Sequence, residues 1–164
     1  MSYQAGDILF FAKGTGNPIG DTIVADFTAS DIVHCAIAVS PLLKVEAVFA
    51  GVVISPIADA PIVWSYPTDT RVNPYSEASM ARALLWLHGT VGEGYGFTDI
   101  VNALLAHYET TAFIDTNTYD CSSLAAEFLQ KVGGTPATNI EDVHTTTPAS
   151  LAKLLGMSEE KSVS

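Results

Sequence analysis

The hydrophobic pattern of this chain changes its period once, near Pro67, and this change limits the possible folds more than any other feature. Before Pro67, short apolar runs alternate with turn residues such as Gly and Pro, which is typical of β-strands. After Pro67, apolar residues recur every three or four positions, which is typical of amphipathic helices. Strands first and helices afterwards predict an α+β fold, with an antiparallel sheet followed by packed helices.

Short apolar runs in the first part of the chain predict the strands. Gly51 joins the third and fourth of them, while residues 19–30 have a mixed pattern that yields no assignment. The predicted strands are Asp7–Ala12, Ile32–Val39, Lys44–Ala50, Val52–Ser55 and Pro61–Tyr66.

The second part of the chain predicts four helices. Ser76 is a capping residue for the first, and its apolar side is predicted to hold Met80, Leu84, Leu85 and Leu87. We expect one domain over residues 1–157 and a polar tail over 158–164. The predicted helices are Ser76–His88, Thr98–Leu105, Cys121 to about Val132, and a last short helix beginning at Thr147–Leu151.

Composition excludes several classes of protein. The formal net charge of −11 and a pI near 4.4 argue against binding to nucleic acid or to anionic membranes, which requires clustered Lys and Arg. Two cysteines in 164 residues do not suggest a disulfide scaffold, and the N-terminus shows no signal-peptide pattern. We therefore expect a soluble cytoplasmic protein without stable membrane insertion, without a cofactor and without a metal ion. The oligomeric state is left open.

Cys121 lies where a nucleophile would be activated. It follows Tyr119 and Asp120 at the predicted start of a helix, and Asp120 is a suitable capping residue. Unpaired N–H groups and the dipole at a helix N-terminus favour a thiolate, whereas the charge of Asp120 opposes it. The simpler interpretation is a small buried cysteine in the core.

His34 is the best candidate for the base. It lies in the apolar run Ile32–Val39, so a strand would fix its ring, although a histidine at a sheet edge has the same pattern. His88 and His107 are near predicted helix ends, and His144 is in a polar loop.

Glu46 is the only acid in the apolar run Lys44–Val48. A half-buried carboxylate needs a partner, because burying an unpaired charge is costly. If this strand pairs antiparallel with the strand of His34, Glu46 can orient the imidazole as the third member of a triad. A charge that protects an edge strand from aggregation explains the same residue equally well.

These residues together resemble a known family. Gly6–Phe11, His34–Val39 and Val45–Ala47 look like the GDLVFF…HVGIYL…HA sequence of the NlpC/P60 cysteine peptidases, and Tyr119–Leu124 is similar to their YDCSGL turn. The cysteine turn comes first in that family and last here. This order resembles the circularly permuted branch, the YiiX-like proteins, which are related to the lecithin retinol acyltransferases. Tyr95–Phe97 and Thr147–Leu151 also fit the branch.

The resemblance implies a circularly permuted papain-like fold with Cys121 as nucleophile, His34 as base and Glu46 as the orienting residue. The matching motif positions are the candidate substrate-binding residues. Two positions depart from the pattern, Cys35 in place of valine and Ser123 in place of glycine. The acyltransferase turn Asn-Cys-Glu-His-Phe is absent from the sequence. The candidate substrate-binding residues are Tyr119, Asp120, Tyr95 and Asp7.

Three functions are compatible with these residues. The first is a cysteine hydrolase of the amidase or peptidase type, acting on a peptide, isopeptide or acyl ester through an acyl-enzyme. The second is an acyltransferase or lipid (thio)esterase of the same fold. The third is a binding module without catalytic activity. The polar C-terminus offers no lipid anchor, and all three triad residues are present.

Overall fold

The computed structural model describes residues 2–12, 30–57, 62–72, 76–94 and 118–157. Five strands within these ranges form one antiparallel sheet in the order β4-β3-β2-β1-β5. The α+β prediction is confirmed, because the sheet comes first in the chain and the helices follow it. The strands are β1 (Ile8–Ala12), β2 (Ile32–Ala38), β3 (Leu43–Val48), β4 (Gly51–Pro56) and β5 (Ile62–Tyr66).

Four α-helices and two short 3-10 turns follow in the described ranges. The predicted helix Thr98–Leu105, the tail 158–164 and most of the unassigned segment 19–30 lie outside the described residues. No helix in the described part of the chain is long and apolar enough to cross a membrane. The helices are α1 (Thr68–Arg71), α2 (Glu77–Gly89), α3 (Cys121–Val132) and α4 (Pro148–Leu154), and the 3-10 turns are Ala137–Asn139 and Val143–Thr145.

The sheet buries side chains on both faces. The larger core packs one face against α2, α3 and α4, and α3 is its centre, with only Gln130 and Lys131 exposed. A smaller cluster on the other face contains Leu9, Phe11 and Ala36. The largest buried side chains of the main core are Ile8, Phe10, Ile37, Val45, Val52, Leu87, Leu124, Phe128, Leu129 and Leu151.

The predicted apolar side of α2 is wrong in one position. Met80, Ala83 and Leu87 are buried, whereas Leu85 is 75% exposed. At 3.6 residues per turn, Leu85 lies about 140° around the helix from Met80 and cannot share its face. The capping prediction is confirmed, since the Ser76 side chain accepts a hydrogen bond from the Ser79 N–H.

Gly51 opens β4 with a backbone that other residues rarely adopt, because its φ is +109°. A Cβ atom there would lie 2.5 Å from the carbonyl oxygen of Glu93. That oxygen accepts a hydrogen bond of 2.9 Å from the Val52 N–H, and the Gly92 N–H donates to the Val52 carbonyl, also at 2.9 Å. The segment after α2 therefore covers part of the edge strand β4.

Candidate active site

The first turn of α3 is fixed by a reciprocal capping box around Asp120. Asp120 Oδ1 accepts hydrogen bonds from the Ser123 N–H at 2.7 Å and from the Ser122 hydroxyl at 2.9 Å. Ser123 Oγ in turn accepts from the Asp120 N–H at 3.0 Å. The Ser122 hydroxyl is also 2.7 Å from the Thr146 carbonyl oxygen. Serine at position 123 thus replaces the glycine of the resembled motif with a capping residue, and Cys121 begins the helix as predicted.

Cys121 is 8% exposed and lies against β2. The pKa of the Cys121 thiol is well below its ordinary value, and the hydrogen bond from the Cys35 thiol is the largest cause. Burial opposes this effect, while the charge of His34, a hydrogen bond from its ring and the Cys35 backbone N–H lower the pKa further. The thiolate form is therefore favoured despite the neighbouring Asp120.

Cys35 is a supporting residue in this arrangement. It is fully buried, and its thiol donates to the Cys121 carbonyl oxygen at 3.1 Å. Burial raises the pKa of Cys35 well above its ordinary value, and contact with the Cys121 thiolate and the charge of Asp120 raise it further. Cys35 therefore stays protonated and remains a hydrogen-bond donor beside Cys121.

His34 lies between Cys121 and Glu46. Its Nε2 is 2.8 Å from Glu46 Oε2, and its ring centroid is 5.4 Å from that of Phe11. Burial alone would lower the pKa of His34. The charge of Cys121 and the hydrogen bonds to Cys121 and Glu46 outweigh burial and raise the pKa to about 10. The imidazole is therefore the cation of a thiolate–imidazolium pair.

Glu46 reaches His34 diagonally across the sheet. β2 and β3 are antiparallel with Ile37 opposite Val45, so Glu46 lies beside Ala36, two residues from His34. Burial raises the pKa of Glu46, but hydrogen bonds from His34, Lys44 and Ser55 and the charge of His34 lower it to about 2. Glu46 is therefore a buried carboxylate, 8% exposed, with a partner on each oxygen.

Sequence reasoning missed Lys44 and Ser55 at this site. The Lys44 ammonium and the Ser55 hydroxyl both contact Glu46 Oε1. Lys44 precedes Glu46 by two positions, and residues two apart in a strand share a face, so the spacing carried a usable signal. Ser55 lies opposite Lys44 on β4, and only the register between the strands identifies it.

The predicted substrate-binding residues do not all meet at the site. Asp120 and Tyr119 directly precede Cys121, and the Tyr119 ring packs edge-on against Trp86 at 6.0 Å. Asp7 is opposite Ala38, at the other end of β1 and β2 from His34, about 13 Å away at 3.3 Å per residue. Its carboxylate accepts a hydrogen bond from the Gln4 N–H at 2.9 Å. Tyr95 lies outside the described residues.

The sequence contains three other histidines. His88 is in the last turn of α2 and exposed, and His144 is in the second 3-10 turn. His107 lies outside the described residues. No group of three or more His, Cys, Asp or Glu side chains within those ranges is arranged to hold a metal ion.

Compared with known proteins, the sequence matches no protein-family model and no curated protein. The resemblance to the NlpC/P60 peptidases therefore rests on the motif residues alone.

Proposed function

We propose that this protein is a cysteine hydrolase of the amidase or peptidase type. The observation that carries the proposal is that Cys121 begins α3 with a thiol pKa that Cys35 and His34 lower, while His34 Nε2 is 2.8 Å from Glu46 Oε2. A thiol with a lowered pKa, a histidine and a carboxylate in this order can act as nucleophile, acid–base and orienting group.

The proposed reaction has two halves. The Cys121 thiolate attacks the carbonyl carbon of an amide or ester, and the negative charge moves to the carbonyl oxygen. Apart from the Ser123 N–H, which donates to Asp120 Oδ1, the N–H groups in the first turn of α3 have no intrahelical acceptor and can stabilise that oxyanion. His34 gives its proton to the leaving amine or alcohol, which leaves a thioester on Cys121. His34 then accepts a proton from water, the hydroxide attacks the thioester, and the carboxylic acid departs with the thiolate restored.

We also propose that the chain has the circularly permuted papain-like arrangement of the YiiX-like branch. The order of the elements supports this, since the strand with His34 precedes the helix with Cys121. The five-stranded antiparallel sheet and the helix packed on it are compatible with that arrangement. The corresponding substrates would be a peptide, an isopeptide or an acyl ester.

The proposal can be tested with p-nitrophenyl acetate as a general acyl donor. We expect a burst of nitrophenol, an acetyl group on Cys121 that mass spectrometry can map, and slower turnover as water removes it. Cys121→Ala should abolish the burst, whereas Cys35→Val should slow it without abolishing it, because Cys35 lowers the pKa of Cys121 but is not the nucleophile. A folded protein that shows no acetyl group on Cys121 would contradict the proposal and favour a binding module. Preferential transfer of the acetyl group to an added amine would instead favour an acyltransferase.

A further inference from the structure

We propose that Lys44 is a positioning residue of this site, which holds Glu46 together with Ser55 so that the carboxylate can orient His34 through the whole reaction. The inference deepens the proposed function and rests on it, because it assigns a role within the same array of residues. It concerns Lys44 and Ser55, which the triad itself does not include.

The contacts around Glu46 divide its two oxygens between different partners. Oε1 contacts the Lys44 ammonium and the Ser55 hydroxyl, and Lys44 Nζ is 2.9 Å from Ser55 Oγ. Oε2 is left to His34 Nε2 at 2.8 Å. A carboxylate held at one oxygen by two donors cannot rotate freely, so Lys44 and Ser55 fix the direction in which Oε2 faces the imidazole.

The surroundings of Lys44 show how unusual its position is. The side chain is only 6% exposed, and its ammonium lies 5.4 Å from the centroid of the Phe11 ring. Removing a lysine from water is costly, and a buried ion pair is on average no more stable than well-packed apolar residues of the same volume. Fold stability alone therefore gives little reason for a lysine here, whereas control of the Glu46 charge does.

Lys44 supplies the positive charge that makes the buried cluster neutral. In the resting site the Cys121 thiolate, the His34 imidazolium, the Glu46 carboxylate and the Lys44 ammonium alternate in sign and sum to zero. Without Lys44, the same buried cluster would carry one uncompensated negative charge, which a low-dielectric interior strongly disfavours.

The charge count changes when the acyl-enzyme forms. The thioester on Cys121 is neutral, and His34 has given its proton to the leaving group, so Glu46 loses the imidazolium beside it. Lys44 is then the cation that balances Glu46 while His34 must accept a proton from water. The groups of the described residues that face Glu46 are His34 from β2, Lys44 from its own strand and the uncharged Ser55 from β4. We therefore expect Lys44 to act most strongly on deacylation.

The effect of removing Lys44 has a definite sign. A nearby positive charge makes it easier for the Glu46–His34 couple to lose a proton, whichever of the two residues holds it. Lys44→Met should therefore move the midpoint of the pH–deacylation profile upward by on the order of one pH unit. Since deacylation needs neutral His34, its rate at neutral pH should fall by about tenfold.

The experiment compares full-length variants. Acetyl-Cys121 is formed with p-nitrophenyl acetate, and its loss is followed across pH by mass spectrometry, with thermal unfolding as the check on folding. Lys44→Arg keeps the charge and should retain the wild-type midpoint. Lys153→Met removes an exposed lysine of α4, gives the same change in net charge and should leave the profile unchanged. A folded Lys44→Met protein with the wild-type midpoint would overturn the proposal.

Two further measurements cover the other outcomes. If Lys44→Met does not fold, Ser55→Ala removes a single neutral donor, and deacylation should slow several-fold, while an unchanged rate would contradict the positioning role. If the wild type forms no acetyl-Cys121, the proposed hydrolase function fails. The role of Lys44 is then read from alkylation of Cys121 by iodoacetamide, whose pH midpoint should also rise in Lys44→Met and stay at the wild-type value if Lys44 has no such role.

Discussion

Cys35 and Cys121 are in contact, but their thiols have opposite properties. Burial raises the pKa of Cys35 well above its ordinary value, whereas the hydrogen bond from Cys35 and the charge of His34 lower that of Cys121. At neutral pH we expect iodoacetamide to modify Cys121 at least about tenfold faster than Cys35, since the thiolate is the reactive form. Mapping of the alkylated peptides measures this ratio. Faster modification of Cys35 would reverse the assignment of the nucleophile.

His34 is expected to control the reactivity of Cys121. The imidazolium stabilises the thiolate by charge and by a hydrogen bond. In His34→Ala we expect the pH midpoint of Cys121 alkylation to rise toward the ordinary value for cysteine, about 8.5. His88→Ala is the matched control, because His88 is exposed at the end of α2. An equal shift in the control would show that the base is misassigned.

Glu46→Gln keeps the shape of the side chain but removes its charge. Because Glu46 is 2.8 Å from His34 and stabilises the imidazolium, turnover of an acyl ester should fall by about tenfold to a thousandfold. The loss should be smaller than that of Cys121→Ala. Full activity in Glu46→Gln would mean that another residue orients His34, while the Cys121–His34 pair would stand.

For individual residues, the sequence singled out the three candidate site residues but did not indicate the side chains that contact Glu46. Cys121, His34 and Glu46 stand out because a reactive side chain in an apolar run needs an explanation. Lys44 also lies in such a run, but lysine is common on exposed edge strands, and its burial depends on β4 covering it. The sequence likewise did not indicate that the Cys35 thiol donates to Cys121, since that contact joins two distant elements.

Gly51 is the glycine at which β4 begins and the segment after α2 approaches it most closely, with a backbone that other residues rarely adopt. Gly51→Ala should destabilise the fold by on the order of 2 kcal/mol, because the new Cβ would meet the Glu93 carbonyl oxygen and φ is +109°. Urea unfolding measures the change. Gly89→Ala is the control, since a Cβ there meets nothing within 4 Å. That variant should stay within about 0.5 kcal/mol of the wild type, and equal losses in both would contradict the argument.

The sequence predicted which segments are strands and which are helices better than it predicted which of them are in contact. The change of period near Pro67 separated strands from helices, and capping residues located the starts of α2 and α3. α1 was not predicted, because a helix of four residues has too few apolar positions to show a period. Asp7 was assigned to the site from its motif, although pairing of β1 with β2 places it at the far end.

For the whole molecule, we expect the free energy of unfolding to depend on pH through the pair Glu46 and His34. The folded-state pKa of Glu46 is about 2, below its ordinary value of 4.5. The contribution of Glu46 to the free energy of unfolding is therefore present above pH 4.5 and is lost as pH falls toward 2. The difference in unfolding free energy between wild type and Glu46→Gln should shrink over this range, as measured by urea unfolding. A difference that stays constant down to pH 2 would contradict it.

Above neutral pH, the free energy of unfolding should depend on His34. The folded-state pKa of His34 is about 10, above its ordinary value of 6.5. The His34 contribution is therefore complete below pH 6.5 and is lost as pH rises toward 10. The stability difference between wild type and His34→Ala should decrease over that interval.

The contact between Cys35 and Cys121 also allows the docking of α3 on β2 to be followed during refolding by thiol labelling. The two residues are 86 positions apart, and contacts so distant in sequence close a long loop and form slowly. In the unfolded chain both thiols have the ordinary pKa of about 8.5 and equal access to reagent. A short pulse of alkylating reagent at mildly acidic pH during refolding would label Cys121 in preference to Cys35 only after α3 has docked on β2. The ratio of the two labels would then follow assembly of the site without any added dye.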